Sequence, residues 1–160
     1  THILVVFIYK DDGGDGSIYY SDLVGESWSQ PSLLGFEKDR FGEQIAISNI
    51  NSEAWETSAV LSADKNTIYF VSDREGGYGG RDIYKSIRLP NRKWALARNL
   101  GSEINTPYDE DAPFIHPDGV QIIFSSNRQE SMGGFDVFTS DPLPPNIPPM
   151  KSFIATNALA

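Results

Sequence analysis

Residues 50–86 read INSEAWETSAVLSADKNTIYFVSDREGGYGGRDIYKS, and residues 104–140 read INTPYDEDAPFIHPDGVQIIFSSNRQESMGGFDVFTS. The second stretch repeats the first at a constant offset of 54 residues, without a gap. Ile50-Asn51 falls on Ile104-Asn105, Glu56 on Glu110 and Asp64 on Asp118. Ile68 and Phe70 fall on Ile122 and Phe124, and Ser72 and Arg74 on Ser126 and Arg128. Gly79, Gly80 and Asp82 fall on Gly133, Gly134 and Asp136, and Ser86 on Ser140. Conservative pairs fill the gaps: Asp73 with Asn127, Ile83 with Val137, Tyr84 with Phe138. A match of this length in one register marks a repeat architecture.

A degraded third copy stands in front. Val6-Phe7-Ile8-Tyr9 resembles Tyr69-Phe70-Val71-Ser72, and Ile18-Tyr19-Tyr20-Ser21 resembles Ile83-Tyr84-Lys85-Ser86. Trp28 then matches Trp94, and Leu34-Gly35 matches Leu100-Gly101, both at an offset of 66 residues. This copy carries a longer connection over 36–49. Four units follow: a first repeat with its insertion at 1–49, repeats at 50–103 and 104–140, and a Pro-rich tail at 141–160. The tail has prolines at 142, 144, 145, 148 and 149 and reads as an extended linker.

Within a unit the residues predict hairpins. Thr67-Ile68-Tyr69-Phe70-Val71 is a β-branched and aromatic run bounded by turn residues. Asp64-Lys65-Asn66 and Asp118-Gly119 place Asp, Asn and Gly where tight turns want them. Gly76, Gly77, Gly79 and Gly80 predict a loop with positive-φ positions before the return strand Asp82–Ser86. Trp94 is expected to begin another strand, and Trp28 and Trp94, which recur, to pack in the blade core or between blades. No sustained helical period appears.

Composition fits this reading and narrows the function. The chain has 160 residues, Lys+Arg 13 and Asp+Glu 22, for a net charge of −9. Such a balance argues against nucleic acid, whose phosphates need a basic stripe, and against an anionic membrane surface. No run reaches the roughly 18 apolar residues that span a bilayer as a helix. The absence of Cys excludes disulfides, thiolate metal sites and cysteine nucleophiles. The sequence opens at Thr1 without Met or leader, which reads as a processed piece or one whose beginning lies upstream.

A repeat of about 54 residues with about four short strands predicts an all-β fold, a β-propeller of four-stranded antiparallel blades. The phrases Leu61-Ser62-Ala63-Asp64, Ile68–Arg74 and Gly77–Tyr84, with their second copies His116-Pro117-Asp118-Gly119, Ile123–Arg128 and Met132–Phe138, resemble the TolB-type, WD-like propeller repeat. The linking phrase Asn99–Thr106 is similar to the version in OmpA-family envelope proteins of Bacteroidota, one branch of which belongs to the type IX secretion machinery. The resemblance implies an envelope location, periplasmic or outer-membrane-associated, and other envelope proteins as partners. It covers about Val6 to Ser140, and the first copy departs from it by lacking the Arg and having Ser17 in place of the Asp. The peptidoglycan-binding domain of those proteins has no counterpart here, so that activity maps to no residue. Propellers close with about four to eight blades. Three repeats therefore predict a ring completed by the rest of a longer chain or by other subunits.

Candidate chemistry divides by whether it recurs. Asp73, Arg74, Gly79, Gly80 and Asp82, repeated as Asn127, Arg128, Gly133, Gly134 and Asp136, are expected to be structural. In that reading the Asp accepts loop N–H groups and the Arg braces it. The carboxylates Glu53, Glu56, Asp109, Glu110 and Asp111 could supply a glycosidase pair, but Glu56 and Glu110 recur, which favours a structural or solvated role. His116 stands where Ser62 stands and reads as a turn residue. Trp55 has no counterpart and is the single-copy aromatic candidate for a partner surface. The sequence predicts no metal and no cofactor. A calcium alternative would use Asp11, Asp15 and Asp22, although Gly13 stands where a carboxylate is usual. The expectation is a non-catalytic scaffold for protein–protein contact. The alternatives are a propeller enzyme (glycosidase or peptidase-associated) and a glycan-binding propeller.

Overall fold

The computed structural model of the chain describes residues 3–9 and 16–140. The Pro-rich tail, and Asp11 and Asp15 of the calcium alternative, lie outside the described residues. Among the described residues all regular elements are strands, and no helix is long and apolar enough to cross a membrane. The first sheet holds β1 (Ile3–Tyr9), β2 (Ser17–Val24), β3 (Ser27–Trp28) and β4 (Ser32–Leu33). A two-stranded ribbon follows in the 36–49 insertion, β5 (Phe36–Lys38) with β6 (Gln44–Ala46). The second sheet holds β7 (Glu56–Leu61), β8 (Thr67–Ser72), β9 (Asp82–Ile87) and β10 (Arg98–Asn99). The third holds β11 (Glu110–Ile115), β12 (Ile122–Ser126) and β13 (Asp136–Ser140).

Every pairing is antiparallel; the second and third sheets are meanders in chain order, while in the first β3 and β4 both pair with β2. The register of β8 on β9, with Phe70 opposite Tyr84, recurs in β12 on β13, with Phe124 opposite Phe138. The fourth strand is shorter than the sequence suggests. Trp94 makes only a bridge to Arg88, and β10 is confined to Arg98–Asn99.

The sheets stack face to face, and β8 shows why. Side chains alternate across a strand. Ile68 and Phe70 join Ile18, Leu34, Ile50, Tyr84 and Trp94 in one core cluster, against the first sheet. Tyr69 and Val71 join Ile83, Ile104, Ile115, Ile122 and Phe124 in a second cluster, against the third sheet. Buried on both faces, β8 loses the polar–apolar alternation that a half-exposed strand shows. Each buried Ile or Phe contributes about 1.5–3 kcal/mol of burial free energy.

Among the described residues, the third sheet has only one covered face. Ile122 and Phe124 are buried, but Val137 is 74% and Phe114 51% exposed on the opposite face. The positions corresponding to Val137 are Ile83 in the second sheet and Ile18 in the first, both fully buried by the sheet that follows. Trp28 shows the converse. Trp94 is buried against the first sheet, whereas Trp28, one sheet earlier, is half exposed because no preceding sheet covers it among the described residues. The expectation that both tryptophans pack in the core or between blades holds for Trp94 and fails for Trp28.

Candidate functional site

The recurring residues converge at one end of the second and third sheets. Glu56 opens β7 and is fully buried. Its Oε1 accepts from Ser52 Oγ at 2.7 Å, Ser72 Oγ at 2.9 Å and Arg74 Nη2 at 3.0 Å. Arg74 continues outward, donating to the Asn49 and Ile50 carbonyls at 2.7 Å each. Its guanidinium lies over the rings of Phe70 and Tyr84. The third sheet repeats the set. Glu110 accepts from Thr106 Oγ1 at 2.6 Å, Ser126 Oγ at 2.8 Å and Arg128 Nη2 at 3.3 Å, and Arg128 lies over Phe124 and Phe138. The sets differ at the guanidinium: Arg74 Nε donates to Ser72 Oγ, while Arg128 Nε is buried without a partner.

This corrects one expectation and decides between the two arms of another. The Arg braces the buried Glu at the start of the sheet and not the loop Asp, because the meander brings Arg74 beside the first strand. Glu56 and Glu110 are structural, and the solvated alternative is excluded by their burial. Burial is the larger influence on Glu56 and raises its carboxyl pKa, against the lowering effect of Ser52, Ser72 and Arg74.

Asp82 does what its repeat position suggests. It is buried and accepts from the Tyr78 and Gly79 N–H groups and from Asn99 Nδ2 at 2.7 Å. Asp136 likewise takes the Met132 N–H at 2.6 Å. Asp73 accepts the Trp55 N–H at 2.8 Å, and Asn127 accepts the Asp109 N–H at 2.8 Å. The glycines, however, serve different ends. Gly133 and Gly134 have positive φ and open space around them. Gly79 and Gly80 do not have positive φ; a Cβ at Gly79 would strike the Thr106 and Tyr108 carbonyls, and one at Gly80 the Asp109 carboxylate. Close approach of the third sheet is what requires glycine there.

The sheets are also joined by a device to which sequence reading assigned no role. Asn51 is buried; its Oδ1 accepts the Ile18 N–H at 2.7 Å, and its Nδ2 donates to the Ile18 and Leu34 carbonyls at 2.9 and 2.7 Å. Asn105 grips Ile83 in the same way, at 2.8 and 2.9 Å. Each Asn thus closes the return strand of the preceding sheet. The recurring Ile-Asn pair was the available signal. Arg81 adds an ionic link to the third sheet, with Asp111 at 2.7 Å and Asp109 at 3.6 Å. Thr57 and Ser58 donate to Asp111 as well.

The remaining candidates lie apart. Trp55 is 42% exposed, against Gly16. Asp22 lies in β2, its backbone N–H donating to Ser29 Oγ. His116 caps a turn, Nδ1 against Asp118 at 2.8 Å. Of the candidate carboxylates, Glu56 and Glu110 serve separate sheets, and Asp109 and Asp111 share Arg81. No group of metal-ligating side chains converges among the described residues. Compared with protein-family models and with curated proteins, the sequence matches none.

Proposed function

We propose that the chain is a non-catalytic scaffold: its sheets are blades of a β-propeller that further repeats complete, and the assembled body presents a rigid face to other proteins. The observation that carries this reading is the open outer face of the third sheet, with Val137 74% exposed where Ile18 and Ile83 are covered. A face built like two buried ones suits one more sheet of the same kind. The structural use of the recurring acids supports a non-catalytic role, because buried, braced carboxylates have no reach to a substrate. The bacterial envelope, and an association with type IX secretion or peptidoglycan, rest on the resemblance to TolB-type repeats of OmpA-family proteins.

The test is hydroxyl-radical labelling of Phe114 and Val137 in the protein from its natural source and in the isolated chain. Protection in the natural assembly and labelling in the isolated chain is expected. Equal labelling overturns the completed ring. Release of reducing ends from polysaccharides, or of new N-termini from peptides, overturns the non-catalytic role.

A further inference from the structure

Between the first and second sheets, where the β7–β8 turn and the 88–93 turn meet β2, lies a cleft of about 1000 Å³. Four of the chain's 13 Lys and Arg residues line it: Lys65, Arg88, Arg92 and Lys93. Among the described residues two carboxylates line the same cleft, Asp22 and Glu37, and Glu37 accepts from Lys93 at 3.3 Å. On a chain of net charge −9 this is a local reversal of sign.

The repeat does not ask for these cations. Lys65 has a φ of 59°, and its counterpart in the third repeat is Gly119, with a φ of 73°. The turn needs the left-handed conformation, and glycine meets that need without a Cβ pressing on the following carbonyl. Asn66 corresponds to Val120, so the turn's polarity is single-copy too. Arg92 is a second cation in the left-handed region, with a φ of 67°. A strained lysine kept beside a cleft, where the next repeat has glycine, points to use of the cleft.

The lining selects the ligand. Arg88 lies over the Trp94 ring, which holds its planar fork in place for a carboxylate. Val24 (63% exposed) and Leu89 (37%) make the mouth apolar. Trp94 is only 7% exposed, so its ring is not offered to a sugar. We propose that this cleft binds an extended peptide segment of a partner protein in which acidic and aliphatic residues alternate. This rests on the scaffold reading above, for which it names the partner's chemistry.

The probe is a short fluorescein-labelled peptide of alternating glutamate and leucine, followed by anisotropy with the full chain at low salt. The double variant Lys65→Gly, Arg92→Gly relaxes both turns, so its thermal midpoint rises while its affinity falls about tenfold or more, as loss of charge-assisted contacts requires. Unchanged affinity in that variant overturns the proposal, as does equal binding of a glutamine-for-glutamate peptide. Displacement of the peptide by polygalacturonate in preference to unlabelled peptide also overturns it, in favour of an anionic glycan. The probe is recovered and weighed afterwards. An intact, unbound peptide removes this assignment and leaves the scaffold reading to its labelling test, whereas a cleaved one removes the scaffold reading itself.

Discussion

Glu56 is where a single side chain decides most. Removing it leaves Arg74, 13% exposed, with an uncompensated charge beside two rings. Glu56→Ala is expected to cost about 3–5 kcal/mol in urea unfolding, the range for breaking a buried pair. The pH dependence has a definite sign. Burial raises the Glu56 pKa in the folded state above its ordinary 4.5, so the folded state holds the proton more tightly than the unfolded one. The stability this contributes is fully present below 4.5 and is lost as pH rises through the raised value. The stability of the native chain minus that of Glu56→Gln should therefore fall as pH rises from 4.5 towards neutrality. A rise in that quantity would mean that Arg74 outweighs burial. The importance of Glu56 and Arg74 was legible, because both recur. Their partnership was not, because repetition marks positions and carries no information about which of them meet across 18 residues of chain.

Strands and the loops between them show the same division. The hairpins of the second and third repeats follow from β-branched runs and Asp or Asn turns, and the structure has them in the expected order. The loop of Gly76, Gly77, Gly79 and Gly80 was read as a matter of positive φ, and at Gly76 it is. At Gly79 the reason is a neighbouring sheet, which no local pattern announces. The two causes separate by mutation. Gly76, with φ 86° and open space around it, should accept alanine for about 1–2 kcal/mol. Gly79→Ala must push Thr106 and Tyr108 away and should cost more, with faster amide exchange in β11. Equal costs in thermal unfolding would contradict this account. Trp28 belongs at this scale too. Its match to Trp94 was correct as sequence, but burial depends on a sheet standing over the position.

For the molecule as a whole, stability resides in the junctions. Two core clusters, one on each face of the second sheet, are closed by Asn51 and Asn105. Asn51→Asp replaces an amide donor by an acceptor facing the Ile18 and Leu34 carbonyls. Loss of those bonds in a buried setting should cost about 3 kcal/mol or more. Hydrogen exchange should locate the damage: faster in β2, unchanged in β12. Uniform acceleration would mean that the sheets unfold as one body and the junction has no independence. All-β stacking could be read from the period of the repeat. The junction chemistry could not, since Asn51 is as polar as any turn residue until a neighbouring strand supplies the groups it satisfies.

Each of these asparagines is made after the strand it clamps. Asn51 comes 33 residues after Ile18, and Asn105 comes 22 after Ile83. Translation at about 5–20 residues per second puts about one to seven seconds between a return strand and its clamp. During that interval the newest sheet on the ribosome has its edge unsatisfied, and only the start of its successor relieves it. Synthesis therefore closes the stack from the N-terminal side, one sheet behind the growing end.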